Sequence, residues 1–207
     1  MTQQETVKQA LRRLCAWYQQ GHRDLPWRHT QDPYAVWISE IMLQQTRVQA
    51  VIPYYERFMR ELPTVQALAE VPEEQLLKLW EGLGYYNRVR NLQKAAMQIV
   101  EDYGGVMPDS YEALLGLKGI GSYTAGAVSS IAYGKPNPAV DGNVLRVIAR
   151  IRKLPGAGYA IPVIHSLPDI LSLLPLYESP SWKETHTFRQ GVLCPDVYAM
   201  QLIPHPE

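Results

Sequence analysis

Between Leu117 and Val128 the chain reads LKGIGSYTAGAV, with Gly119 and Gly121 flanking Ile120 between two segments of helical pattern. Both glycines permit positive φ and leave no side chain between the backbone and a ligand. A helix that starts at Ser122 or Tyr123 aims its first N–H groups back past the turn. Turn and helix start together cradle an anion such as a phosphate. The same letters also suit an ordinary helix–turn–helix corner closed by a glycine cap. On either reading two helices meet at a short corner, and the chain must be built by packing helix on helix.

The rest of residues 1–153 agrees with that constraint. In DPYAVWISEIMLQQT, Asp32 is an N-cap and Pro33 takes the first helical position. Thr46 can cap RVQAVIPYYERFMREL, and Thr64 can open a short helix after Pro63. PEEQLLKLWEGLG and YYNRVRNLQKAAMQIVEDYGG both end on glycine. Asp109 can cap SYEALLGL, and Asp141 caps GNVLRVIARIRKL. There are no alternating strands and no internal repeat. The expected fold class is all-α.

Composition narrows the function classes. The chain has 207 residues, 46% hydrophobic and 19% charged, enough to bury a core. No run approaches the ~20 apolar residues of a membrane span, and the polar, amphipathic N-terminus reads as no signal peptide. Cys15 and Cys194 are the two cysteines, far apart and without a CxxC partner, which fits a reducing, cytoplasmic setting. The formal net charge is zero. A nucleic-acid partner is compatible with that, because the distribution of charge matters more than its sum. Arg47, Arg88, Arg90, Lys94 and Lys118 recur near glycines and helix starts.

Two carboxyl groups stand in contrasting surroundings. Glu40 lies inside the apolar helix of VWISEIMLQ, where burial favours its neutral, acidic form. Asp141 lies at a helix start, where the dipole and open amides favour the anion. Such a pair suits hydrolysis of a glycosidic bond, which needs a proton for the leaving group and negative charge beside a cationic sugar. The bland readings are a helix cap for Asp141 and a salt-bridge partner for Glu40.

The hairpin together with NPAVDGNVLRV resembles the helix–hairpin–helix and Gly-Pro-Asp superfamily of base-excision DNA glycosylases. DLPWR, DPYAVWISEIMLQQTRVQAVIPYYERF, LWEGLGYYNRVRNLQKAA and AVDGNVLRV are similar to the A/G-specific adenine glycosylases, the MutY family, over roughly residues 8–152. The resemblance implies a six-helix barrel half, complete within residues 1–153. It assigns Glu40 as general acid and Asp141 as the aspartate, with Tyr123 supporting the aspartate and sugar and Asn143 holding the catalytic groups. Bifunctional relatives of the endonuclease III type carry a nucleophilic lysine where Tyr123 stands, so a monofunctional hydrolase is expected.

Further DNA contacts follow from the same resemblance. Trp27 and Arg28 fall on the adenine pocket. Leu43, Gln44, Gln45 and Thr46 form one wedge, with Gln45 entering the base stack and Gln44 touching the orphaned guanine side. Tyr85 and Tyr86 form the second wedge. Arg88 is available for phosphate, and Gly119, Gly121, Ser122 and Thr124 belong to the hairpin. The expected partner is duplex DNA with adenine opposite guanine or 8-oxoguanine. The chain is expected to act as a monomer, away from membranes, in the bacterial cytoplasm at the nucleoid. Alternatives are a non-catalytic DNA-binding fragment and an endonuclease III-like glycosylase.

The resemblance breaks near residue 154. From Pro155 to Glu207 come eight of the 16 prolines, and basic residues fall to Lys183 and Arg189. Residues 154–207 read as an atypical, proline-rich tail. The family presents four cysteines there for a 4Fe–4S cluster. Here Cys194 alone lies near the first ligand position, so the cluster half is expected to be incomplete and no cluster bound. The family's further C-terminal 8-oxoguanine-recognition domain is likewise expected to be lacking. A truncated or frame-shifted product would account for the change, and sequencing the encoding DNA for a shifted frame with the missing helices and cysteines tests it.

Overall fold

The computed structural model of the chain describes residues 3–144. The sequence-based division at 153/154, the proline-rich tail, Cys194 and the cluster half lie outside the described residues. The chain divides into two compact units, residues 24–139 and residues 1–23 with 140–207. Among the described residues all regular structure is helical, as expected.

In the first unit a 3-10 turn at Pro26–Arg28 precedes helix α2 (Pro33–Leu43). Then follow α3 (Val48–Glu61), α4 (Val65–Glu70), α5 (Glu73–Trp80), α6 (Asn87–Tyr103), α7 (Tyr111–Leu115) and α8 (Ser122–Tyr133). Helix α1 (Gln3–Gly21) belongs to the second unit. There, Tyr18 stacks on His22 at 4.7 Å, and the His22 ring sits 2.8 Å from the Tyr18 carbonyl.

Helix α2 is the axis of its unit. Every residue from Tyr34 to Met42 is buried, as expected of a helix that is apolar all round. It packs on α8, on α3 and on the 3-10 turn. Asp32 accepts from the Tyr34 N–H (3.1 Å) and Pro33 stands at the helix start, as the sequence requires. The Tyr34 hydroxyl donates to the Leu62 carbonyl (2.8 Å), and burial pushes its proton far more firmly onto the oxygen. Helix α3 buries Val51, Tyr55 and Phe58, spaced to share one face. Phe58 meets Trp80 edge to face at 6.1 Å. Helix α4 lies along α6, and the buried Gln93 amide donates to the Val71 carbonyl at 2.6 Å. Each fully buried apolar side chain of this core, such as Leu68, Leu76, Leu92 or Ile99, contributes roughly 1.5–3 kcal/mol by leaving water.

Several ends differ from the expected ones. Thr64 caps α4 through the Ala67 N–H (3.1 Å), and Gly104 closes α6 at φ 62°. Thr46, however, does not cap α3. The N-cap is Arg47, which makes no side-chain cap bond, and the Thr46 hydroxyl turns to the Gln44 carbonyl (3.3 Å). Asp109 does not cap α7 either. Ser110 accepts from the Ala113 N–H (3.1 Å), while Asp109 pairs with Lys135 at 2.8 Å. Helix α5 stops at Trp80, short of the glycines, and the Trp80 indole N–H donates to the Gly84 carbonyl (3.1 Å).

Candidate functional site

Two loops of residues 24–139 meet at one cleft. The first joins α2 to α3 and carries Gln44, Gln45 and Thr46, following Leu43 at the end of α2. The second joins α5 to α6 and carries Tyr85 and Tyr86. A cleft of about 320 Å³ is lined by Gln44, Gln45, Tyr85, Tyr86, Asn87 and Arg88. Gln45 (φ 56°) and Tyr85 (φ 48°) are the non-glycine residues with positive φ among the described residues. The left-handed region is costly for residues with a Cβ and persists where surrounding structure enforces it. Both side chains are exposed, Tyr85 at 65%. The fold therefore holds two large side chains outward, one from each loop, on strained backbone.

Arg88 reaches both loops. Its Nη1 donates to the carbonyls of Ile41 (3.0 Å), Met42 (3.1 Å) and Gln44. Its Nη2 donates to Leu83 O (3.1 Å), Gly84 O (3.2 Å) and Thr46 Oγ1 (3.3 Å). The guanidinium also lies over the rings of Trp80 (5.4 Å) and Tyr85 (5.6 Å). Burial lowers its proton affinity below the usual arginine value, with the Tyr85 ring hydroxyl acting weakly the other way. The terminal nitrogens of Arg88, for which a phosphate contact was expected, are bonded to oxygens of the protein itself. Arg90 pairs with Glu73 at 2.8 Å on the exposed face of α6.

The hairpin follows directly. Gly119 has φ 78°, and a Cβ there would stand 2.7 Å from the Cβ of Asn91, so glycine is required twice over. Gly121 differs from Gly119. Its φ is −93° and its ψ 176°, an extended N-cap that any residue can adopt. No heavy atom outside its own neighbours lies within 4 Å of where its Cβ would be, so its open side is the feature a ligand can use. The first rung of α8 runs from Ala125 N–H to Gly121 O (2.9 Å), so the Ser122 and Thr124 amides precede the ladder. A cavity of about 120 Å³ joins Gly119 and Lys118 to Gln44, Asn87 and Arg88, bringing hairpin and first wedge to a shared space.

The four carboxylate-site residues fall in different units. Glu40 is buried on α2 at 2% exposure, beside Ser39, whose hydroxyl donates to Val36 O (2.7 Å). Tyr123 is half-buried in the first turn of α8. In the other unit, Asp141 accepts three bonds from its own loop. Oδ1 takes the N–H of Asn143 (3.0 Å) and of Val144 (2.9 Å), and Oδ2 takes the Asn143 side-chain amide (2.9 Å). Asn143 thus fixes the carboxylate orientation, and Asp141 caps the turn as expected. Trp27 is 1% exposed and meets Tyr55 edge-on at 5.3 Å, which makes it a core residue, while Arg28 beside it is half-buried.

Residues 38–160 match the HhH-GPD superfamily of base excision DNA repair proteins. The chain is 46% identical over 172 residues to the adenine DNA glycosylase of Rattus norvegicus, covering 79% of this chain and 33% of that one. It is 49% identical over 150 residues to that of Homo sapiens, covering 68% and 28%. The chain belongs to the HhH-GPD superfamily of base excision DNA repair proteins. It spans about a third of the length of these mammalian relatives. Among solved structures it is similar to a thermostable thymine-DNA glycosylase, with a TM-score of 0.65 at 34% identity over 68% of this chain and 65% of that one. It is also similar to an endonuclease III trapped covalently on DNA, with a TM-score of 0.71 at 25% identity over 90% and 84%.

For a chain of the HhH-GPD superfamily, two features escaped the sequence reading. Asn91 and Gln98, seven residues apart on α6, face the hairpin. Asn91 abuts Gly119, and Gln98 bonds the Gly116 carbonyl (3.4 Å) and the Lys118 N–H (3.3 Å). Their helical spacing was the available signal. A four-thiolate cluster does not fit the donors present, because the chain supplies two cysteines. Among the described residues no His, Cys, Asp and Glu group could hold a metal, and no helix is long and apolar enough to cross a membrane.

Proposed function

We propose that the chain is a monofunctional adenine DNA glycosylase of base excision repair, acting on adenine opposite guanine or 8-oxoguanine in duplex DNA. The observation that supports this reading most is the cleft where Gln45 and Tyr85 project on strained backbone. A base drawn out of a duplex leaves a gap that must be filled, and two outward side chains on converging loops suit that task. The hairpin amides and the open side of Gly121 suit a backbone phosphate.

The proposed chemistry uses two carboxyl groups and one water. The Glu40 carboxyl gives its proton to adenine as the bond between the sugar C1′ and the base nitrogen breaks, and the bonding pair leaves with the base. Asp141, held by Asn143 and the turn amides, places negative charge beside the cationic sugar. Water gives hydroxide to C1′, and its remaining proton restores Glu40. The products are free adenine and an abasic site. Tyr123 stands where a lyase would need an amine, so the strand stays intact. Arg28 is assigned to the adenine edge, and Gln44 and Tyr86 to the orphaned base. The chain works as a monomer without a bound cluster.

A duplex oligonucleotide with a single A:G mispair tests this. Adenine release with strand scission appearing after alkali supports the proposal. Cleavage without alkali favours an endonuclease III-like lyase. Binding without release favours a DNA-binding fragment, a reading that the one-third coverage of the mammalian relatives keeps open. Glu40→Gln abolishes release at unchanged helical content; retained release removes Glu40 from its role.

A further inference from the structure

We propose that Arg88 is a positioning residue that locks the two wedge loops to one another, so that Gln45 and Tyr85 enter the DNA as a single unit. One planar guanidinium bonds carbonyls on both sides of the cleft: Ile41 and Met42 in the last turn of α2 and Gln44 in the loop that follows it, with Leu83 and Gly84 on the other loop. The two left-handed residues, Gln45 in one loop and Tyr85 in the other, are 40 positions apart in sequence. Neither strained conformation is maintained by its own loop alone. The carbonyls two or fewer residues before Gln45 and Tyr85 are both anchored to the same side chain. A shift in one loop therefore pulls on the other through a rigid fork. Stacking over Trp80 and Tyr85 holds that fork in plane. Lysine cannot replace it, because one ammonium nitrogen has three donors at a single point and does not span both loops.

The coupling itself follows from the geometry of the loops; its effect on base extrusion rests on the glycosylase reading. Two kinds of measurement separate them. Amide exchange of Arg88→Lys and Arg88→Gln is compared with the unaltered chain. Exchange rises by about tenfold or more in residues 43–47 and 82–86 together, with α4 and α8 unchanged. A rise in one loop only, in neither, or equally throughout the chain overturns the proposal. Should the variants fail to fold, NMR of the unaltered chain decides: the Arg88 Nη protons are protected from solvent, and exchange as fast as at an exposed arginine overturns it.

The second measurement is single-turnover adenine release. Arg88→Lys slows release from an A:G duplex by about tenfold, and by about twofold or less from a substrate whose adenine already lies unstacked opposite an abasic gap. Equal slowing on both, or none on the duplex, overturns the coupling role. The dependence of DNA affinity on salt is unchanged in Arg88→Gln, whereas a slope smaller by about one indicates a phosphate contact and also overturns it. If the unaltered chain releases adenine from neither substrate, the glycosylase reading fails, and the exchange measurement still decides the coupling.

Discussion

Helix α2 and the loop that follows it differ sharply over a few residues. Tyr34 to Met42 are buried in ordinary helical conformation, while Gln45, three residues later, is exposed at φ 56°. The first stretch gains stability from burial, and the second holds a conformation that opposes it. The contrast shows where a fold can hold strain: beside an element too well packed to move. Tyr85 repeats the arrangement, following a turn whose Leu83 is buried and whose Gly84 carbonyl is tied to Trp80.

Substitutions in the two regions should therefore act in opposite senses. The largest loss is expected at the packed side: Trp37→Ala removes a fully buried indole and costs about 3–5 kcal/mol by urea denaturation. A cost below about 1 kcal/mol would show that α2 is not the rigid support. Gly126→Ala is next. A Cβ there would come within 2.2 Å of the Pro138 carbonyl oxygen, and the backbone must shift at a cost of about 1–3 kcal/mol. Tyr85→Gly reverses the sign. It relieves a left-handed residue and should leave stability unchanged or raise it by up to about 1 kcal/mol, while adenine release from duplex falls. A clear loss of stability would mean that Tyr85 is a packing residue. The smallest effect lies at the exposed Asp109–Lys135 pair. A hydrogen bond from Lys135, then its charge, holds the Asp109 carboxyl below its ordinary 3.8. The folded state therefore gains from this pair above that value and loses the gain as pH falls through the lowered one. Denaturation curves of the unaltered chain and Asp109→Asn should differ slightly at neutral pH and converge in acid.

What the sequence revealed depends on how far each signal reaches. Asp32 followed by Pro33, Thr64, and the glycine after Tyr103 are local instructions, and each acts where it was read. Thr46 and Asp109 misled by one position because each found a different partner, Ser110 taking the cap of α7 and α3 having Arg47 as an N-cap without a side-chain bond. Arg88 could not be interpreted from its neighbours, since most of its acceptors come from 42 to 47 residues away. A basic residue beside two tyrosines suggests a polyanion, and only folding revealed that the protein itself supplies the oxygens. Of the two uses that the sequence allowed both glycines, Gly119 takes the positive φ and Gly121 the open side. The residues from 145 onward lie outside this comparison.

The crossing at Gly126 has a mechanical consequence. Where other helices carry a side chain, α8 accepts the carbonyl of Pro138. The helix is keyed by the segment lying in that notch, and rotation about its own axis would have to lift the segment out. A load applied to the glycine turn at its amino end would then meet a shaft that resists twisting.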